Sequence, residues 1–121
     1  MTSFSLRIRP AVQAELDAAA GAEARGHFHT AFEHLERAHI LGQQATREHV
    51  RVHWHMLRFA LRQQLASEVA GQLWRLVAAT LFTAPGLVPR GNSGTSKVNG
   101  FRRMKLPEDL RQAMALAAAR Q

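Results

Sequence analysis

The chain has no cysteine among its 121 residues, and this absence removes several kinds of site together. Disulfides, thiolate zinc sites, iron–sulfur clusters and cysteine nucleophiles are all excluded. Any bound metal must therefore be held by imidazole nitrogen and oxygen ligands. That set of ligands suits the divalent transition metals Zn, Cu, Ni, Fe and Mn.

Long apolar runs are missing as well. The longest candidate, Leu76 to Phe82, is far shorter than the roughly 18 apolar residues that indicate a membrane-spanning helix. The opening stretch "MTSFSLRIRPAVQAELD" has early arginines but no apolar segment before Glu15 and Asp17, so we expect no secretory signal. These features predict a soluble, cytoplasmic protein that does not enter a membrane.

Positive charge is in excess but is distributed unevenly. The formal net charge is +7, and residues 84–121 alone carry +5 of it. A basic excess is typical of proteins that bind nucleic acid or an acidic partner. Because the excess lies mainly in the tail, a nucleic acid or acidic protein partner is an alternative here and is not the favoured interpretation.

Apolar spacing predicts five helices in a single domain covering residues 1–121. Pro10 at a first helical turn, followed by Val12 and Leu16, predicts a helix at about 10–24. Further helices are predicted at about 28–41, 47–63, 66–82 and 107–120, with a loop rich in Pro, Gly, Ser and Asn at 83–106. Apolar stripes then assign a core face to the second, third and fourth helices: Phe28, Ala31, Leu35 and Ala38; Val50, Trp54, Leu57 and Leu61; Ala66, Ala70, Leu73 and Val77.

The short linkers between these helices predict an all-α fold of two antiparallel hairpins, followed by a long ordered loop and a short C-terminal helix. Two arrangements fit this order, a four-helix bundle and a tetratricopeptide-like (TPR-like) stack. Residues 26–38 have the spacing G-x-F-x-x-A-x-x-x-L-x-x-A of half a tetratricopeptide repeat, but no second copy follows at the 34-residue period. The spacing is therefore interpreted as a helical packing pattern.

All seven histidines lie between residues 27 and 55, and helix geometry divides them. Glu36 and His39 lie three residues apart, on adjacent turns of one surface of the second helix. His49 and His53, four residues apart, present two imidazoles on one side of the third helix. The other four histidines point elsewhere and are expected to be exposed: His27, His29, His34 and His55.

The predicted hairpin brings these two groups to matching levels. With the turn centred between residues 44 and 45, His39 and His49 are each about five residues from it, and Glu36 and His53 are about one turn deeper. Three imidazoles and one carboxylate are thus predicted to converge on a divalent metal ion. A buried polar network without a metal, and an exposed surface without a role, are the two alternatives.

Glu68 and Gln72, four residues apart on the fourth helix, offer a further ligand or a hydrogen bond that orients an imidazole. The apolar stripe predicted for that helix places Glu68 on the opposite face, away from the core. The predicted metal ligands are therefore His39, His49 and His53, with a carboxylate from Glu36 or from Glu68.

With these residues in place, the chain resembles a small bacterial family known as domain of unknown function 3703. The resemblance extends from about residue 24 to residue 112 and implies no established reaction. The segments that show the resemblance are "HLERAHILGQ" (34–43), "HVRVHWHML" (49–57), "SEVAGQLWRLVAA" (67–79), "GLVPRGNSG" (86–94) and "PEDL" (107–110).

The resemblance implies that the family's histidines correspond to His39, His49 and His53, with Glu68 in the fourth helix and Asn92 in the loop. Thr95 departs from the paired glycines that are usual at that point of the family's loop. Members are similar to proteins encoded near heavy-metal resistance functions, which favours a metal.

The leading hypothesis is a small helical metal-binding protein, with a role in metal handling or resistance. An enzyme would require an open coordination position and a base that activates water, and the residues alone do not decide between storage, sensing and catalysis. A homodimer is compatible with the sequence. The alternative function is a TPR-like interaction module that binds a protein or nucleic acid through a basic surface.

Overall fold

A computed structural model of the chain describes residues 3–82 and 105–119. The described residues form five helices: α1 Ser3–Ala24, α2 Phe28–Gly42, α3 Thr46–Arg62, α4 Ala66–Phe82 and α5 Glu108–Ala119. Strands are absent from both described ranges, so the all-α prediction is confirmed. Most of the predicted loop, including Asn92 and Thr95, lies outside these ranges.

Each of the first four helices packs against the next one in the chain. α1 contacts α2, α2 contacts α3, and α3 contacts α4, while α5 lies against α1 and α2. Side-chain pairs such as Glu15 with His34, and His53 with Gln72, lie at similar distances on either side of a turn, as expected for antiparallel neighbours. Within the described part of the chain, α4 packs only on α3.

The first helix begins earlier than its sequence predicts. α1 starts at Ser3 and contains Pro10 in its interior, so the predicted start near residue 10 is wrong. A proline inside a helix removes one hydrogen bond and crowds the preceding turn. Here Pro10 is exposed, whereas Ile8 and Val12 on either side of it are buried in the core. The free energy gained by burying Ile8 and Val12 thus outweighs the cost of the hydrogen bond lost at Pro10.

The core lies between α1, α2, α3 and α5. Phe32 of α2 stacks on Phe59 of α3 with ring centroids 5.5 Å apart, which joins the two hairpins. The other large contributors are buried aliphatic side chains from these four helices: Ile8, Val12, Leu16, Leu35, Leu41, Val52, Met56, Leu110 and Met114. None of the described residues in this cluster comes from α4, because that helix lies on the outer side of α3.

A close approach at the end of α2 sets the geometry of the turn into α3. A Cβ atom added to Gly42 would lie 2.9 Å from the Cβ atom of Glu48, so only glycine fits here without a shift. Glu48 is fully buried, and Arg51 donates to its Oε2 atom over 3.0 and 2.7 Å. The turn is therefore held by the tight packing of Gly42 against Glu48, whose carboxylate is paired within α3 to the partly exposed Arg51.

The predicted core face of α3 is wrong in part. Leu57 is buried as expected, but Trp54 and Leu61 are 51% and 57% exposed. The helix instead turns its other side inward, with His49 and His53 beside Val52 and Met56. Polar side chains that satisfy one another are buried in place of the more apolar stripe.

The predicted core face of α4 is wrong throughout. Ala66 and Ala70 are exposed, and Leu73 and Val77 are 53% and 51% exposed. The buried residues of this helix are instead mostly polar: Glu68, Gln72, Arg75 and Ala79. The prediction that Glu68 faces away from the core is therefore wrong, because its side of α4 faces α3.

Candidate metal centre

Three histidine side chains meet where α2 and α3 leave their shared turn. His39 of α2 and His49 and His53 of α3 are all buried, and one ring nitrogen of each lies within 4.8 Å of those of the other two. The rings contact one another with centroids 4.6 to 4.9 Å apart. The predicted level matching of His39 with His49 is confirmed.

The spacing of the ring nitrogens is suited to a single ion. The Nε2 atom of His49 lies 3.0 Å from Nε2 of His39 and 3.2 Å from Nε2 of His53. Both separations are shorter than the roughly 4.2 Å that two nitrogens can span when each is bound to one ion at about 2.1 Å. An ion placed against all three nitrogens would keep at least one coordination position outside the protein ligands.

The orientation of His53 is fixed by two side chains from α4. Gln72 donates from its Nε2 atom to Oε2 of Glu68 over 2.8 Å, and an ionised carboxylate can only accept. The other end of the amide, Oε1, must then accept from Nδ1 of His53, 2.5 Å away. Nδ1 of His53 therefore carries its proton, and Nε2 presents a lone pair to the other two histidines.

Burial keeps the imidazoles of His49 and His53 neutral. Desolvation, together with the charges of His53 and Arg75, lowers the pKa of His49 from 6.5 to about 3. Desolvation also lowers the pKa of His53, to about 4; the hydrogen bond that His53 donates to Gln72 acts in the opposite direction, and the charge of Arg75 lowers the pKa further. At neutral pH both rings are in the unprotonated form that binds a metal.

Arg75 is a site residue that sequence reasoning missed. It lies on the same side of α4 as Glu68 and Gln72, is only 9% exposed, and interacts electrostatically with Glu68. The spacing of residues 68, 72 and 75 on one helical face was the available signal. This spacing was overlooked because the opposite, apolar side of α4 was predicted to face the core.

The two carboxylates predicted as ligands occupy different positions. Glu68 is buried and reaches the histidines through Gln72. Glu36 is half-buried on α2, one turn before His39. Among the residues that the structure describes, the group whose ligand atoms converge consists of the three histidines alone.

The remaining histidines lie away from the centre. His27 and His29 are exposed as predicted, with His29 paired to Glu33 over 2.9 Å. His34 and His55 are half-buried, so the prediction that both are exposed is wrong. His34 bonds to Glu15 over 2.7 Å because α1 packs across it.

Much of the positive charge on the described helices is neutralised within the fold. Arg62 is paired with Glu23 over 2.8 Å, and Arg111 with Glu108 over 2.6 Å. Arg37 bonds to Glu15 over 2.9 Å and also contacts Asp109. A continuous basic face is therefore not built from these arginines.

None of the helices in the described ranges has the length and apolar character needed to cross a membrane. No curated protein matches the chain, and no solved structure matches it. A family model described as "Protein of unknown function (DUF3703)" matches residues 6–114, which include the three histidines and all of their partners on α4. The chain therefore belongs to the DUF3703 family.

Proposed function

We propose that this protein binds one divalent transition metal ion through Nε2 of His39, His49 and His53. The convergence of three buried imidazoles, with one ring nitrogen of each within 4.8 Å of those of the other two, carries the proposal. The ring nitrogens contact one another at 3.0 and 3.2 Å, so one ion could bind them together in place of these contacts.

The donor set narrows the choice of metal. Three imidazole nitrogens suit Zn, Cu, Ni and Fe better than Mn, which prefers carboxylate and water oxygens. In this proposal Glu68 acts through Gln72 by holding His53, and Glu36 stays outside the ligand set. Metal handling or resistance in the cytoplasm is the proposed role, and an open coordination position leaves room for catalysis.

A competition titration tests the proposal. Untagged protein is stripped of metal and titrated with Zn, Cu, Ni, Fe and Mn against a chromophoric chelator. We expect one equivalent to bind, and we expect His39→Ala to lose this binding. His29→Ala is the matched control, since its side chain is 92% exposed. Equal affinity in wild type and His39→Ala would show that the histidines serve a polar network only.

A second function is supported by the exposed apolar side of α4. Leu73, Trp74, Val77 and Leu81 are each more than half exposed, and such a patch is typical of a protein–protein interface. We propose a homodimer or another apolar protein partner at this side of α4. Light scattering on Trp74→Ser, with the exposed Leu116→Ser on α5 as control, tests the dimer.

A further inference from the structure

The outward side of α3 carries a row of arginines. Arg47, Arg51 and Arg58 are separated by four and seven residues, so they lie along one side of the helix. Arg47 and Arg58 are exposed, and Arg51 is partly exposed. The one acidic residue of the helix, Glu48, is fully buried. The solvent side of α3 therefore presents positive charge and no carboxylate.

Few of these charges are neutralised. Arg51 and Arg9 of α1 share the single carboxylate of Glu48, at 2.7 and 3.7 Å. Within residues 3–82 and 105–119, Arg47 and Arg58 form no ion pair. Four arginines thus lie on this side of α3 against one buried carboxylate.

The carboxylates that α1 places near this row do not cancel it. Glu23 is already paired with Arg62. Asp17 accepts from Gln13 over 2.8 Å, and Gln13 accepts from Arg51. Asp17 therefore offsets the row by one charge at most, and the surface stays positive.

A large aromatic side chain lies within the same row. Trp54 falls between Arg51 and Arg58, three residues after one and four before the other, and is 51% exposed. The core does not hold it, because Val52 and Met56 occupy the inward side of the helix. An indole exposed among guanidinium groups offers a flat apolar face next to positive charge. This combination suits single-stranded nucleic acid, whose bases stack on aromatic rings and whose phosphates pair with arginine.

We infer that the outward side of α3 binds single-stranded nucleic acid. The arginines contact its phosphates, and Trp54 stacks on a base. An acidic peptide would leave the exposed indole without a partner, and the bases of a duplex are already stacked on one another. From Arg47 to Arg58 the row is roughly 16 Å long, which spans a few nucleotides at about 3.4 Å each. The inference does not depend on the metal site, since His49 and His53 lie on the inward side of α3.

Fluorescence anisotropy of a labelled oligothymidylate, titrated with the metal-free full chain in the presence of a chelator, tests the inference. Trp54→Leu removes the stacking ring, and Trp74→Leu is the matched control because Trp74 is 55% exposed on α4. Arg58→Gln removes one charge from the row, and Arg25→Gln is the matched control because Arg25 is exposed and lies outside α3. Each titration is repeated at several salt concentrations, because each phosphate contact with a single strand adds about 0.7 to the slope of log affinity against log salt.

We expect wild type and both control variants to bind with about equal affinity. Trp54→Leu should lose about tenfold in affinity with an unchanged salt slope, since stacking is not ionic. Trp54→Phe should recover most of this loss, because it keeps an aromatic ring. Arg58→Gln should lose about three- to tenfold and lower the salt slope by about 0.7.

All four replaced side chains are exposed, so each variant should unfold in urea as wild type does. No binding by wild type would overturn the inference. Equal affinities of Trp54→Leu and Trp74→Leu, or of Arg58→Gln and Arg25→Gln, would place the binding at another segment and overturn it too. A labelled polyglutamate or a duplex that binds as tightly as the oligothymidylate would contradict base stacking on Trp54, with the same consequence.

Discussion

Oε1 of Gln72 lies 2.5 Å from Nδ1 of His53 and holds the proton of that ring away from the other histidines. Replacing Gln72 with leucine keeps a side chain of similar size but removes the acceptor. We expect the affinity for Zn to fall by about 10- to 100-fold, as is usual when a partner of a metal-binding histidine is lost. Chelator competition measures the change, with exposed Gln112→Leu as control. An unchanged affinity in Gln72→Leu would show that His53 needs no support from α4.

Glu68 and Glu36 are distinguished by their connections to the histidines. Glu68→Gln removes the carboxylate that fixes the amide of Gln72, so the amide is free to turn and offer its donor end to His53. We expect a loss of about tenfold in Zn affinity. Glu36→Gln should leave the affinity within about threefold of wild type, since Glu36 is outside the converging group. A large loss in Glu36→Gln would instead make Glu36 a ligand.

The lowered pKa values of His49 and His53 predict how the stability of the metal-free protein depends on pH. These pKa values are about 3 and about 4 in the folded chain, against 6.5 ordinarily. Below pH 6.5 the unfolded chain binds more protons than the folded chain. The stability that these two histidines contribute is therefore full above pH 6.5 and is lost as pH falls towards 4. Each histidine should contribute a slope of up to about 1.4 kcal/mol per pH unit in that window.

Urea unfolding at pH 7, 6 and 5, in the presence of a chelator, measures this slope. His53→Gln should have a smaller slope than wild type, whereas His29→Gln should match wild type because its ring is exposed. Identical slopes in all three proteins would contradict neutral burial of His53.

Gly42 lies against Glu48 at the turn that aligns His39 with His49. Gly42→Ala places a Cβ atom 2.9 Å from Cβ of Glu48, and we expect it to lower the free energy of unfolding by about 1 to 3 kcal/mol. Gly21→Ala is the matched control. Its new Cβ would contact only the end of the Arg25 side chain, at 3.3 Å, so it should be neutral or stabilising by up to about 1 kcal/mol. Equal stability of the two variants, measured by urea unfolding, would mean that the turn tolerates a side chain.

The sequence was sufficient for the helix order and for the pairing of His39 with His49, because both depend on local spacing. A turn of known position fixes which residues lie at the same level of a hairpin. The sequence also suggested that Glu68 and Gln72 supply either a further ligand or a hydrogen bond that orients an imidazole, and the structure shows the hydrogen bond, between His53 and Gln72.

The inward faces of α3 and α4 were not predictable in the same way. Apolar stripes identify a core face only when burial is driven mainly by apolar area. In α4 the inward face is polar because Gln72 and Glu68 are satisfied by His53 and by each other, while Leu73 and Val77 remain half exposed. Such hydrogen bonding between buried side chains depends on a neighbouring helix and is not visible in the sequence of α4 alone. Arg75 was missed for this reason.

X-ray absorption on the Zn-loaded protein tests the central claim most directly, because it counts the imidazoles that bind the ion. We predict three imidazole nitrogens at about 2.0 to 2.1 Å in wild type, with a spectrum that is unchanged in His29→Ala. His49→Ala should lose one imidazole or fail to retain zinc. Fewer than three imidazoles in wild type, or an unaltered zinc environment in His49→Ala, would contradict a metal site formed by His39, His49 and His53.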